Sequence, residues 1–520
     1  MTRPIDHTSI EGKQFATEDA FPLVVLGAGA AGVAAAIEAA RLGLRVLLVD
    51  EHPVASSLIG LDVPWMFGER MTAAVQNKPR MLERVVAARP DLEQAFEAGV
   101  EVRLGVYVWG AFVGGPTSHA LPGRVLALAD EERSWLVGFD RLIVAAGGRD
   151  LALAFPGWDR PGVMGAQGFA AAIGLYDAFA GRRVVVLGAG AAGLACVRLA
   201  RRAGVEVVAV VDVAARTADF SEFGVAVHSG YRITSVTGSE VQGISVVSGD
   251  TRLEIACDTI VCAVDAVPNV EMFDLLGCKM TWSGGHGGHV PATDDAGRTS
   301  VVGVYAAGDC VGVTDSALLD PTFAAASGRR AARAAARDAG VAVAVDSIAP
   351  MPPEQDRDAR RRQWMQAHSD PNLMICRCEE VTRRDLLGVR PPRYLAYNEA
   401  KFEDRNLRTL AADGPVNQDQ IKRLTRAGMG ACQGRRCREQ VQALLAMQGN
   451  QPTGDIAMPS YRAPLRPLPL AVLSAHDEAA EVRANWTAWF GIPGQWLPHW
   501  EKVPEKPEFW GGRLLPDDAK

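Results

Sequence analysis

The stretch "FPLVVLGAGAAGVAAAIEAARLGLRVLLVDE", residues 21–51, decides the fold. An uninterrupted apolar run reads as a buried strand. A glycine turn follows, then an alanine-rich helix, then a second apolar strand ending in acid. This is the outline of a dinucleotide-binding unit. Gly27 permits the tight turn, Gly29 lets the backbone approach a pyrophosphate, and Gly32 lets the helix pack closely on the strand. The helix N-terminus then faces the phosphate charge. Asp50, eighteen residues beyond Gly32, is placed to accept hydrogen bonds from a ribose, with Glu51 as the neighbouring candidate.

A single pattern of this kind is weak evidence, but it recurs as "RRVVVLGAGAAGLACVRLARRAGVEVVAVVD" at 182–212, with Gly188, Gly190, Gly193 and the strand-end Asp212. The copies lie about 160 residues apart, too far for a solenoid repeat and suited to one domain inserted into another. Asp212 favours a free ribose hydroxyl over a phosphate, so a pyridine nucleotide here would be NAD(H) and not NADP(H). The motif reports a fold more securely than an occupied site.

The chain has 520 residues, enough for about three domains. With 48% hydrophobic and 22% charged residues and a net charge of −7, it reads as a globular protein and not a nucleic-acid binder. The basic run "RRAARAAAR" at 329–337 reads as one solvated helix face. The N-terminus mixes charges and lacks an apolar core, so it reads as a mobile arm and not a secretory signal. No apolar run is long enough to span a membrane. Cys196, Cys257, Cys262, Cys278 and Cys310 lie singly and read as reduced, buried thiols, which points to the cytoplasm.

The other four of the nine cysteines fall in two tight pairs: Cys376 and Cys378 in "MICRCEEV", Cys432 and Cys437 in "GMGACQGRRC". Such pairs suit a metal centre, where thiolates converge from separate turns. Zinc takes four thiolates but usually from CxxC paired with CxxC, whereas this chain offers CxC and CxxxxC. A disulfide is disfavoured by the compartment. A [2Fe-2S] cluster also takes four thiolates, and the glycines of the second pair leave backbone N–H groups exposed to it. Arg377, Arg435 and Arg436 stand beside these cysteines. His286 and His289 in "GGHGGH" read as an exposed connection.

"VVGVYAAGDCVGV" at 301–313, a strand ending in Ala-Gly-Asp, resembles the second FAD motif of two-dinucleotide-domain flavoprotein reductases. That resemblance implies that Asp309 binds the ribityl chain and that Gly308 allows close approach. "RLIVAAGG" at 141–148 resembles the strand leaving the first half of the FAD domain, which puts Gly147 among the cofactor-binding residues. The FAD segments hold no CxxC or CxxxxC pair, which argues against the disulfide-reductase branch.

Taken in order, the FAD unit, the "FPGWDRPGVMGAQG" linker, the second unit, "GRTSVVGVYAAGDC", CxC, "CQGRRC" and "SYRAPLRPLPL" resemble the large subunits of heteromeric amine dehydrogenases and oxidases. The opine oxidases, D-hydroxyproline dehydrogenases, hydrogen cyanide synthase and, more distantly, sarcosine oxidase alpha subunits make up that family. The resemblance implies an α/β, glutathione-reductase-like flavoprotein with two dinucleotide-binding domains, a small helical [2Fe-2S] domain and an extended tail. The expected divisions are an arm (1–20), FAD domain (21–155 and 285–345), NAD-type domain (156–284), linker (346–370), cluster domain (371–450) and Pro/Trp-rich docking tail (451–520).

The resemblance also implies an oxidoreductase acting on CH–NH or CH–NH2 donors. FAD and the cluster would pass electrons from a smaller, D-amino-acid-oxidase-like flavoprotein partner to an acceptor, with FMN at the contact between them as a further cofactor. The competing readings are an NADH-dependent reductase of the ferredoxin-reductase type and a non-catalytic relay or assembly subunit. Where the family commonly has a Gly-Gly-Gln turn, this chain has "EHPVASSLIGLDVPWMFGERM", in which His52, Trp65 and Arg70 are candidates to face the flavin, although a lone residue of each kind more often has a structural role. No residue is assigned as a general base.

Overall fold

The computed structural model describes residues 15–55, 68–114, 121–215, 218–344, 357–391, 399–475 and 480. Residues 1–14 of the expected arm, Trp65, residues 346–356 of the expected linker and the tail tryptophans Trp486, Trp489, Trp496, Trp500 and Trp510 lie outside the described residues, and the rest of that linker holds the helix Arg357–Ala367. No helix among the described residues is long and apolar enough to cross a membrane.

The opening stretch forms strand β1 (Asp19–Leu26), helix α1 (Ala30–Arg41) and strand β2 (Val46–Asp50). Leu23, Val24 and Val25 are all fully buried, because a central parallel strand is covered on both faces. Four more strands follow: β3 (Glu101–Leu104), β4 (Tyr107–Phe112), β5 (Val125–Ala129) and β6 (Ser134–Val144). Their order in the sheet is β3-β2-β1-β6-β5-β4. The strand Val304–Ala306 returns from far along the chain to lie parallel to β6, with Ala306 opposite Val144. Sequence-distant residues therefore end side by side at one edge of this sheet.

A second sheet takes five parallel strands in the order Val227–Ser229, Glu206–Asp212, Arg183–Leu187, Thr259–Cys262, Val163–Gly165. The chain passes between the two sheets along Gly148–Asp150 and Ala266–Pro268, which pair antiparallel. Beyond them lies a helical region that includes Arg357–Ala367, Gln418–Thr425 and Arg438–Gly449. The segment after it crosses back over the first unit. Tyr461 and Leu465 enter that unit's core, and the Leu465 N–H donates to the Trp109 carbonyl at 2.7 Å. The tail up to residue 475 is thus a strap on this chain's own fold.

The helix Thr322–Asp338 packs on α1 at very close range. A Cβ at Gly328 would lie 1.9 Å from the Ala31 carbonyl oxygen, so only glycine allows this approach. The basic run expected to face solvent is divided instead. Ala331, Ala332 and Ala334 to Ala336 are buried, and Arg333 reaches Glu38 on α1 at 2.6 Å. The alanines set the face, and the arginine stem crosses to the neighbouring helix. Replacing Gly328 with alanine should force these helices apart at a cost of about 1–3 kcal/mol, read as a lowered denaturation midpoint in urea.

Candidate functional site

The glycine loop at the start of α1 has the shape its sequence demands. Gly27 sits at φ +99°, and a Cβ there would lie 2.3 Å from the Ala145 carbonyl oxygen. One at Gly32 would lie 1.7 Å from the Gly27 carbonyl oxygen, while one at Gly29 would meet nothing within 4 Å. Gly29 thus marks open space beside the loop. Asp50 ties the loop down, accepting from the Ala28 N–H at 2.5 Å and from the His52 N–H at 2.7 Å. The second copy repeats this closely: Asp212 accepts from the Ala189 N–H at 2.8 Å and the Ala214 N–H at 2.9 Å.

A cavity of about 520 Å³ opens at the carboxyl ends of β1 and β2. Gly27, Gly29, Asp50, Glu51, Gly147 and Asp309 all line it. Gly308 lies just behind at φ +75°, where a Cβ would press on the Ala31 side chain, and its N–H donates to Ser327 Oγ at 3.2 Å. Burial pushes the Asp309 carboxyl up to about 6. Glu51 is held by Arg466 at 2.7 Å, so the strap closes one lip of the cavity through an ion pair.

Several lining residues carry no motif. Arg89 donates to the Ala28 carbonyl at 2.5 Å and pairs with Asp91 at 2.7 Å, which brings a cation to the glycine loop. Gln167, Asn269 with Glu271, Arg435 and Arg466 join it from four separate segments. His52 also lines the cavity, with Nδ1 at 2.5 Å from the Tyr176 hydroxyl. Arg70 does not. It reaches Glu240 at 2.9 Å and the Asp258 carbonyl at 3.0 Å, tying its loop to the second unit. His286 and His289 are part-buried in the paired strands Met280–Ser283 and Gly288–Pro291 and the turn between them, not on an exposed connection, and burial lowers His289 to about 4.

Beside this wall lies a closed ring of buried charge. Glu271 is shared by Arg149 and Arg438, each at 3.0 Å, and Glu439 by the same two arginines at 2.6 and 2.5 Å. Tyr461 accepts from Arg438 at 2.9 Å, and Arg149 donates to the Arg435 carbonyl at 2.9 Å. Burial alone would raise the Glu271 carboxyl. Arg149, then Arg438 and Arg435, overcome that and hold it at about 2.

Cys437 precedes Arg438, and the cysteines gather there. Cys376 faces Cys437 and Cys378 faces Cys432, each pair within hydrogen-bonding reach, and all but Cys378 are fully buried. Cys437 also feels the charges of Cys432 and Cys378, so the four thiols share one neighbourhood. The Gly428 N–H donates to Cys376 Sγ at 3.4 Å, and Gly430 packs so tightly on Cys378 that a Cβ would lie 2.3 Å from its own. Arg436 is buried, and its Nη2 meets no hydrogen-bond partner among the described residues. The Cys378 thiol, followed by Arg436 and Arg435, brings Cys432 down to about 6.

The second unit does carry a CxxxxC spacing, Cys257 to Cys262. The strand Thr259–Cys262 occupies most of it, and at about 3.3 Å per residue it holds the two sulfurs well apart. Both thiols are free and buried, and burial pushes Cys257 up to about 12.

The profile described as pyridine nucleotide-disulphide oxidoreductase matches residues 21–340, and that of the sarcosine oxidase A3 domain matches residues 402–477. An opine oxidase subunit of Rhizobium meliloti is 26% identical over 503 residues, covering 87% of this chain and 87% of that protein. Its namesake in Agrobacterium tumefaciens (strain Ach5) is 27% identical over 504 residues, covering 88% and 92%. The crystal structure of L-proline dehydrogenase from P. horikoshii superposes with a TM-score of 0.60 at 17% identity, covering 88% of this chain and 81% of that one, which shows a shared fold.

The buried carboxyls make stability depend on pH in two opposite ways. Asp309 has a raised pKa in the fold, so its stabilising effect is complete below about pH 4 and is lost as pH rises through about 6. In cofactor-free protein, Asp309→Asn should therefore gain on the parent between pH 4 and 7, by about 1–3 kcal/mol at the plateau, in urea titrations across that range. Glu271 behaves oppositely, its contribution being present above about pH 4.5 and lost as pH falls through about 2. Glu271→Gln should cost about 3–5 kcal/mol at neutral pH, since two arginines lose a shared partner, and the deficit should shrink in the same titration at pH 3.

Proposed function

The chain belongs to the pyridine nucleotide-disulphide oxidoreductase family, and from that footing we propose that it is the FAD- and [2Fe-2S]-carrying subunit of a heteromeric amine or amino-acid dehydrogenase. Its kinship with the opine oxidase subunits, hydrogen cyanide synthase and sarcosine oxidase alpha, expected from the order of its motifs, is what the comparisons show. The substrate class, a carbon–nitrogen bond beside a carboxylate, rests on that kinship, as do the smaller flavoprotein partner and an FMN at the contact with it.

The observation that carries the reading is the adjacency of the cavity wall and the cysteines. Arg435 and Glu271 line the cavity, and Arg438, bound to Glu271, directly follows Cys437. A flavin exchanges two electrons and an iron–sulfur cluster one at a time, which is the chemistry these groups supply when bound.

The residues fit both groups. Gly27, Gly29, Gly32 and the α1 N-terminus would hold the pyrophosphate, with Arg89 as a further cation. Asp50 would face a ribose, Gly147 would admit the cofactor close to the backbone, and Asp309, set by the positive-φ turn at Gly308, would meet its hydroxyls. Cys376, Cys378, Cys432 and Cys437 would hold the cluster. Their CxC and CxxxxC spacings, unlike the CxxC pairs usual for zinc, support the two-iron centre. The unpartnered Arg436 nitrogen and the Gly428 N–H would face electron-rich sulfur.

The test is a pair of opposed variants, read by flavin absorbance, iron and zinc analysis, and electron paramagnetic resonance of the dithionite-reduced chain. The parent should carry FAD and about two irons with a rhombic reduced signal. Gly29→Val fills open space and leaves the fold alone, so FAD should be lost and iron kept. Cys432→Ser should do the reverse. Stoichiometric zinc with no signal would overturn the cluster, and FAD retention by Gly29→Val would overturn the cavity assignment.

A further inference from the structure

We infer that the second dinucleotide unit takes no pyridine nucleotide, because two of this chain's own helices occupy the edge of its sheet where a nucleotide would lie. In open parallel sheets, ligands bind outside the carboxyl ends of the strands. In the first unit those ends open on the cavity, and Gly29 is exposed. In the second, Gly188 to Ala191, Asp212 and Ala263 to Asp265 are all buried.

The coverings can be named. The helix Asp315–Leu319 packs on the helix Ala191–Arg202, whose N-terminus would face the phosphates. The helix Arg357–Ala367 lies across the strand ends. Arg360 donates to the Val264 carbonyl at 3.5 Å, Gln363 to the Val213 carbonyl at 3.4 Å, and the Trp364 indole to the Ala154 carbonyl at 3.2 Å. Arg357 and Arg361 each pair with Asp265 at 3.1 Å, and Arg357 also pairs with Asp315 at 2.6 Å, which locks the two helices to the sheet edge and to each other. Arg357, Arg361 and Asp265 are almost wholly buried.

The chemistry opposes a nucleotide as firmly as the packing does. A dinucleotide would bring two negative phosphates to an edge that presents Asp265 and Asp315, while the arginines there are already engaged by those carboxylates. Entry would separate buried ion pairs and expose Trp364, which is 1% accessible. The unit serves instead as the seat of the cysteine-bearing region. Trp364 and Met365 share one apolar core with Val185 and Leu187 of the second sheet and with Ile375 and Cys376. NADH is thereby excluded as the electron donor, whatever metal the cysteines hold.

The experiment uses the full-length, FAD-loaded chain without oxygen. NADH at about 1 mM, the upper end of ordinary substrate affinities, should leave the flavin absorbance unchanged, and calorimetric titration with NAD+ should show no saturable heat. Hydrogen exchange supplies an independent reading. Amides of residues 188–193 should be protected without ligand and unchanged by NAD+, whereas those of 27–32 should gain protection when FAD is loaded. Flavin bleaching by NADH, saturable NAD+ binding, or added protection at 188–193 on NAD+ addition would each overturn the inference. None of these readouts depends on iron, so its failure is distinguishable from failure of the cluster assignment.

Discussion

The alternating ring of Arg149, Glu271, Arg438 and Glu439 is the contact on which the arrangement of the molecule turns. Each member comes from a different part of the fold, save that Arg438 and Glu439 are neighbours. Arg149 lies on the strand that leaves the first unit, and Glu271 begins the short helix after the strand Ala266–Pro268. Arg438 opens the helix behind the cysteine loop. Two like charges in the interior would repel, and a lone pair would rarely recover its desolvation. A closed ring gives every guanidinium two carboxylates and every carboxylate two guanidiniums, so the burial is tolerable only when all three segments are in place. The position of the cysteines relative to the cavity is therefore fixed by charge as much as by apolar packing.

Two units with nearly the same sequence motif have different fates. Both glycine loops are tethered by a strand-end aspartate through the same pair of backbone N–H groups. What differs is the surroundings: one loop faces an open cavity, the other a lid of helices. A nucleotide fingerprint specifies how a strand turns into a helix. It cannot specify what later segments lay across that turn.

Local and tertiary determinants accordingly differ in how far the sequence reveals them. The glycine spacing, the alanine-rich helices and the apolar strands are local, so the glycine loops and the strands and helices flanking them could be read directly. The CxC and CxxxxC pairs were visible because thiols are few. Arg89, Gln167, Asn269 and Arg466 were not, since each reaches the cavity through tertiary packing and sits in a stretch without periodic signature. Arg70 takes the structural role commoner for a lone arginine, whereas the His286–His289 loop was misplaced for the complementary reason. Glycine-rich and polar segments look exposed in sequence, yet here they pack on the second unit and in a paired strand. The lid was illegible because its helix is dense in arginine and reads as a surface element, while its charges are matched by aspartates more than forty or ninety positions away.

The strap that bears Tyr461, Leu465 and Arg466 has a consequence for biosynthesis. It furnishes one lip of the cavity through Arg466 and Glu51, although Glu51 stands 415 positions earlier in the chain. Folding during synthesis proceeds from the N-terminus. The glycine loop and its sheet are therefore translated long before the lip that encloses them, and even the strand beside β6 must wait for residue 304. Until Arg466 is made, the glycine loop stands without that lip, so this part of the cavity wall is among the last to be put in place.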